Sequence, residues 1–304
     1  MLDAIIVGGS NAGLSAALIL GRSRRRVLVL DHGRPRNAPA RHMHGFLSRD
    51  GTPPAELRRI GREQLSAYPG VEFRSAAVTA ARPIERGFAI ELDDGATLEA
   101  RKLLLATGVS DDVSALEGLA SCWGVSAFHC PYCHGWEVRD QPLAVYGAGA
   151  AGMEFVELLS GWSRDLALCT DGPAGLSEAE RGLLARHEIQ LREESIVRLD
   201  HNAGQLSRII FDSGAPLDRA ALFIRPAQRQ QSPLAAQLGC EFANAGPALE
   251  RVVVDMMGQT TVAGVYAAGD AVTPMQQAMQ AAASGVLAGA ALNRALIQED
   301  FHRG

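Results

Sequence analysis

Residues 3–33 read DAIIVGGSNAGLSAALILGRSRRRVLVLDHG. An apolar run, Ala4 to Val7, meets a glycine-rich turn. A stretch rich in small residues follows, and a second apolar run, Val27 to Leu30, ends in Asp31. That succession predicts strand, turn, helix and strand, the βαβ unit whose first turn holds a pyrophosphate against a helix N-terminus. Residues 141–172, QPLAVYGAGAAGMEFVELLSGWSRDLALCTDG, repeat the pattern. A strand (Leu143 to Tyr146) leads into Gly147-x-Gly149-x-x-Gly152, then a helix, then a strand (Leu166 to Cys169) ending in Thr170-Asp171. From first glycine to closing aspartate the spacing is 23 positions in one stretch and 24 in the other. One glycine-rich turn is weak evidence, but two in one chain predict an α/β protein with two Rossmann-like domains.

The bulk composition fits that reading. The chain has 304 residues, long enough for two domains with separate cores. It is 47% hydrophobic and 21% charged with a net charge of −5, ordinary for a soluble globular protein. The densest basic run, GRSRRRV (21–27), joins a helix-like stretch to a strand-like one, so it reads as a solvated helix end and no nucleic-acid partner is expected. No 18-residue apolar span suggests a membrane partner, and the first residues run straight into a strand, so a cytoplasmic location is expected. The five cysteines (122, 130, 133, 169, 240) are too few and too odd in number for a secreted disulfide framework. The close pair is therefore the one to explain.

That pair stands in FHCPYCHGWE (128–137). His129, Cys130, Cys133 and His134 supply four donors, the number zinc wants. Adjacent residues such as Cys133 and His134 splay their side chains, however, and no distant CxxC or HxxxH supplies a second pair, so no metal is expected. A redox disulfide, or two merely buried thiols, are the other readings. Further along, KLLLATGVSDD (102–112) predicts a buried strand with a polar exit. GVYAAGDAV (264–272) predicts a strand ending at Gly269-Asp270, followed by an Ala/Gly-rich helix able to lie close against neighbouring backbone or a ligand.

The segments VGGSNAG, LLLATG, CPYCHG, GAGAAG and AAGDAV, in this order and spacing, resemble the low-molecular-weight thioredoxin reductases and their relatives, over essentially the whole chain. The resemblance implies an FAD-binding domain made of residues 1–112 and 229–304, with an NAD(P)-binding-like domain, 113–228, inserted in it and carrying the CxxC. It also implies a homodimer. Carried over by position, Gly8, Gly9 and Gly13, with Ser10 in place of the motif's middle glycine, would hold the turn against the FAD pyrophosphate. Asp31 would accept from the adenosine ribose, and Thr107-Gly108 would close over the adenine side. Gly269-Asp270 would reach the ribityl or pyrophosphate region, and Gln277 and Ala278 the isoalloxazine ring. Cys133 would exchange electrons with the flavin and Cys130 with the substrate.

His134 departs from the thioredoxin reductases, which carry an acidic residue directly after the second cysteine. The C-x-x-C-H pattern resembles more closely the dithiol oxidases that close disulfides in natural products of the gliotoxin, holomycin and depsipeptide kinds. An imidazole can take a thiol proton near neutral pH; a surface histidine is the other reading. The direction of electron flow turns on Gly147, Gly149, Gly152 and Asp171. No arginine lies between Arg164 and Arg181 to grip a 2′-phosphate, so NADPH is disfavoured. Asp171 could accept from the 2′-OH of NADH, or Asp-Gly-Pro is simply a turn.

Three functions follow. The leading one is oxidation of a small-molecule or peptide dithiol by O2 through FAD. The second is NAD(P)H-dependent reduction of thioredoxin or a thioredoxin-like protein. The third is a non-catalytic flavoprotein redox sensor. His42 and His44, in RHMHGFLSRDG (41–51), are candidate second proton relays or structural histidines. Tyr132 and Trp136 flank the dithiol as candidate pocket walls.

Overall fold

The computed structural model describes residues 1–114, 116–244 and 250–303. Contacts divide the chain into two compact units. One holds Met1–Ala38, Gly45–Asp111 and Gln228–Gly304; the other holds Pro39–His44 and Asp112–Ala227.

In the first unit the opening strand, Leu2–Val7, lies at the centre of a seven-stranded sheet. It is parallel to Val27–Asp31 on one side and Thr97–Leu105 on the other. Val71–Ser75 extends the parallel half beyond Val27–Asp31, and Val265–Ala267 pairs with Leu103, Leu104 and Leu105. The long strand Thr97–Leu105 has three neighbours, and two of them, Gly87–Leu92 and Val265–Ala267, pair with different halves of it because its sequence changes character. Its polar first half joins an antiparallel hairpin, Val78–Ile84 and Gly87–Leu92, while its Leu-Leu-Leu end is buried as a parallel core strand must be. The alternation of the pleat sends Ile5 and Val7 into one core and Ala4 and Ile6 into the other.

Helix Asn11–Arg22 and the 26-residue helix Ala278–Arg303 cover the second of these faces. They touch backbone to backbone. A Cβ added at Gly285 would lie 2.1 Å from the Ala12 carbonyl oxygen. That approach explains the Ala/Gly composition of the last helix better than helix propensity does, since propensity would exclude the glycines. A short antiparallel ribbon, Val109–Asp111 with Gln228–Gln230, marks where the chain leaves and re-enters this unit.

The second unit repeats the plan. Leu143–Tyr146 is flanked by Leu166–Cys169 and Ala221–Ile224, with Gln190–Arg192 and Ala127–Phe128 at the edges of a five-stranded parallel sheet. A three-stranded antiparallel sheet, Ile196–Asn202, Gln205–Phe211 and Leu217–Asp218, packs its apolar face onto the same core. The edge strand Ala127–Phe128 delivers the cysteine pair at its carboxyl end, where open α/β sheets place their chemistry.

Candidate active site

The first glycine-rich turn is built by steric necessity. Gly8 has φ +109°, and a Cβ there would lie 2.2 Å from the Ala106 carbonyl oxygen. At Gly13 a Cβ would meet the Gly8 carbonyl oxygen at 1.8 Å. Ser10, at the motif's middle position, has φ −98°, which any residue adopts, so its departure from glycine leaves the turn intact. Its side chain makes no capping hydrogen bond to the helix it precedes. The turn opens onto a cleft lined by Gly8, Gly9, Ser10, Asp31 and Thr107. Asp31 Oδ2 accepts from Arg62 Nη2 at 2.5 Å, and a Cβ at Gly9 would press on Asp31 at 2.9 Å. Gly108 (φ +68°) accepts from the Gln231 amide at 3.1 Å and so turns the chain beside Thr107. This cradle of side-chain-free backbone, ending at a carboxylate, fits the adenosine diphosphate half of FAD.

The Gly269–Ala271 turn lies in the same unit. Gly269 (φ +80°) donates its N–H to Ser284 Oγ at 2.9 Å. Asp270 Oδ2 accepts from Arg36 Nη1 at 3.0 Å, and burial raises the Asp270 pKa, with Arg36 opposing that rise. Gln277 precedes the last helix, its carbonyl accepting from the Ala281 amide at 2.9 Å, and Ala278 is the helix's first residue. Sequence reasoning missed Arg36, which stands in a loop with no motif around it.

In the second unit Cys130 and Cys133 form a disulfide, with Cα atoms 5.3 Å apart. Cys130 caps one helical turn, Pro131–His134, with its carbonyl accepting from the Cys133 and His134 amides at 3.1 and 3.2 Å. The His134 ring stacks flat on Phe128, centroids 4.4 Å apart and planes 8° apart. Both of its ring nitrogens are shielded from solvent and have no hydrogen-bond partner among the described residues. Burial, aided by the charge of His44, lowers the His134 pKa to about 4. At neutral pH the ring is therefore uncharged, and burial makes it a weaker base than the free imidazole that the sequence alone suggests.

His44 lies edge-on to His134 at 6.2 Å, and its Nε2 reaches Glu137 Oε1 at 3.5 Å. His42 is 6.4 Å from His44 by ring centroid, and His129 packs 6.0 Å from Trp123. No motif or spacing marks residues 39–44 as packing with the cysteine-bearing unit. Tyr132 and Trp136 are each 65% exposed; Trp136 lies under the Arg139 guanidinium and Tyr132 packs edge-on to Trp162. Among the described residues no group of three or more His, Cys, Asp or Glu is placed to hold a metal ion.

The second glycine-rich turn is shaped like the first but met by its own chain. Gly152 starts its helix tightly against Gly147, where a Cβ would lie 2.6 Å from the carbonyl oxygen. Gly149 (φ +58°) donates its N–H to the Ala174 carbonyl oxygen at 2.8 Å. Asp171 sits in the left-handed region at φ +52°. Its Oδ1 accepts from the Ile196 amide at 2.7 Å and its Oδ2 from the Tyr146 hydroxyl at 2.8 Å. Both carboxylate oxygens thus serve the protein's own backbone and side chains.

A model of the pyridine nucleotide-disulphide oxidoreductases matches residues 2–285. The chain is 31% identical to the thioredoxin reductase sirT of Leptosphaeria maculans, over 96% of this chain and 94% of that protein. It is 32% identical to the thioredoxin reductase tcpT of Claviceps purpurea, over 95% and 92%. The crystal structure of an oxidoreductase from Agrobacterium tumefaciens superposes with a TM-score of 0.91 at 35% identity, covering 97% of this chain and 98% of that one.

Proposed function

Since the chain belongs to the pyridine nucleotide-disulphide oxidoreductase family and is an FAD-dependent thiol–disulfide oxidoreductase of thioredoxin reductase type, we propose that it works as a dithiol oxidase. The observation that carries this reading is the state of the second glycine-rich turn. Its Gly149 N–H is held by Ala174, its Asp171 by Tyr146 and Ile196, and no arginine stands nearby in sequence for a 2′-phosphate. A turn so engaged has little to offer a nicotinamide nucleotide, so the reducing electrons enter from a dithiol instead.

The chain's residues divide the work. A substrate thiolate attacks the sulfur of Cys130, and the Cys130–Cys133 bond breaks, leaving Cys133 as the thiolate. The second substrate thiol displaces Cys130, closing the substrate disulfide and reducing the pair to two thiols. His134, directly after Cys133, is the residue assigned to take a thiol proton in this exchange, and its burial makes it a weaker base than a free imidazole. Gly8, Gly9, Gly13 and Asp31 would hold the adenosine diphosphate portion of FAD, and Asp270 would bond its ribityl or pyrophosphate region. The chemistry that bound FAD would supply is a two-electron acceptor that can be reoxidised by dioxygen, for an overall balance in which R(SH)2 and O2 yield the cyclic disulfide and H2O2. The substrate is a small-molecule or peptide dithiol.

Anaerobic addition of a small dithiol is expected to bleach the flavin absorbance, and air to restore it with one peroxide formed per dithiol. Rapid bleaching by NADPH, coupled to turnover of thioredoxin, overturns the reading. That second outcome belongs to an NAD(P)H-dependent disulfide reductase, the reading favoured by the names of the fungal relatives.

A further inference from the structure

Arg36 follows the strand Val27–Asp31 by five residues and lies in no regular element. Its side chain is only 13% exposed. The guanidinium makes a bidentate pair with Asp111, Nε to Oδ2 and Nη2 to Oδ1, both at 2.7 Å. Its Nη1 donates to Asp270 Oδ2 at 3.0 Å and to Gln276 Oε1 at 2.6 Å. Gln228 Nε2 donates to Asp111 Oδ1 at 2.8 Å and to Gln276 Oε1 at 3.0 Å, and Gln276 Nε2 returns a bond to Gln228 Oε1 at 2.9 Å. Asp111 and Gln228 are direct partners in the antiparallel ribbon through which the chain leaves and re-enters the first unit. Gln230, also in that ribbon, donates to the Ala271 carbonyl at 3.1 Å. One cation therefore fastens four separate pieces of chain.

Such a cluster is a poor way to add stability. Burying charges costs desolvation, and an apolar replacement is often as stable. What it does supply is geometry: a planar fork satisfies two carboxylates at fixed angles, which an ammonium cannot do. Burial and the nearby Asp111 push the Asp270 carboxyl up, and Arg36 opposes that rise.

The geometry points to Arg36 as the positioning residue of the flavin pocket, aiming the Asp270 carboxylate and tying it to the interdomain ribbon so that FAD occupancy orders the ribbon. This rests on the flavin reading of Asp270 given above.

The test uses the full chain in four variants: Arg36→Met, Arg36→Lys, Asp270→Asn and the double variant Arg36→Met/Asp270→Asn. FAD affinity is read by flavin fluorescence on reconstitution, and amide hydrogen exchange is followed at 109–111 and 228–230. Arg36→Met is expected to weaken FAD by about 30-fold, the size of a lost charge-assisted contact with its partner left unpaired. Arg36→Lys is expected to recover part of that loss. The double variant should bind no more weakly than Asp270→Asn alone, because Arg36 acts through Asp270. FAD should slow ribbon exchange in the wild type and not in Arg36→Met. Wild-type affinity in Arg36→Met, or losses that multiply in the double variant, overturn the proposal. Should Arg36→Met fail to fold, Arg36→Lys decides: unchanged affinity and unchanged ribbon protection overturn it. A wild-type chain that binds no FAD overturns the flavin reading itself, a different result from any of these.

Discussion

The two glycine-rich turns, at 8–13 and 147–152, share a motif, a strand before them, a helix after them and a closing aspartate. They differ in what their backbone faces. The first opens onto a cleft and keeps Asp31 at its rim, where Oδ2 accepts from Arg62 and Oδ1 from the Gly33 amide. The second turns its Gly149 N–H to the Ala174 carbonyl and has Asp171 tied to Tyr146 and Ile196. A dinucleotide motif guarantees the strand–turn–helix geometry and not the ligand. Whether an anion binds depends on whether the chain itself has taken the donors.

That contrast can be broken most severely at the first turn. Gly13→Leu places side-chain atoms where a Cβ alone would already sit 1.8 Å from backbone. The 450 nm absorbance of the purified protein is expected to vanish, more than 100-fold below wild type in FAD affinity. Gly149→Ala, whose Cβ would meet nothing within 4 Å, should keep the flavin and cost only about 1 kcal/mol of backbone strain in a denaturant melt. Equal loss of flavin in both would erase the distinction.

Next in size is the choice of reductant. A dithiol is expected to reduce the flavin at least about 100-fold faster than NADH or NADPH, a gap of about 2.7 kcal/mol. Asp171→Arg, which supplies the missing cation, should leave that ratio unchanged because the Ala174 carbonyl still holds the Gly149 N–H. Brisk reduction by NADPH in that variant would show the charge, rather than the closed turn, to be decisive.

The dithiol turn gives a pH signature. His134 is depressed in the folded state, to about 4, from an ordinary value near 6.5. The unfolded chain therefore binds a proton that the folded one refuses, and stability falls as pH drops from about 6.5 toward 4. The loss from this residue amounts to about 3 kcal/mol across that window. His134→Phe should flatten this part of the stability curve, and an unchanged curve would place the proton elsewhere. The acid limb of kcat/KM for dithiol oxidation should likewise lie well below pH 6.5.

The smallest effect expected is at Asp171. Asp171→Asn weakens two charge-assisted bonds while keeping the shape, so unfolding should come about 1–2 kcal/mol earlier. Flavin content and dithiol oxidation should stay at wild-type levels; a fall in either would give Asp171 a role beyond its own loop.

Much of this molecule is legible in its sequence because two signals are local. Apolar strands meeting glycines that must have no side chain, as at Gly8, Gly13 and Gly152, mark both domains, and CPYCH marks the dithiol. What lay beyond reading came from distance along the chain. Arg36, Asp111, Asp270 and Gln276 converge from remote segments without any shared spacing, and 39–44 joins the cysteine-bearing unit across a long stretch of sequence. The bond that Asp171 makes to Ile196 was not legible either, since that residue lies on a strand far downstream. His134 was conspicuous as a histidine, but its low proton affinity comes from the packing of Phe128 and the nearness of His44.

The close contact of Gly285 with Ala12 bears on biosynthesis. The helix Ala278–Arg303 emerges from the ribosome after residues 112–227, yet it covers the face of the sheet that the opening strand needs to bury. The inserted domain can reach its native state while the first segment still waits, apolar and uncovered, for its partner. Such an order favours chaperone holding of the early chain over spontaneous closure. Truncation within that last helix should accordingly yield a protein whose inserted domain is folded and whose flavin domain aggregates.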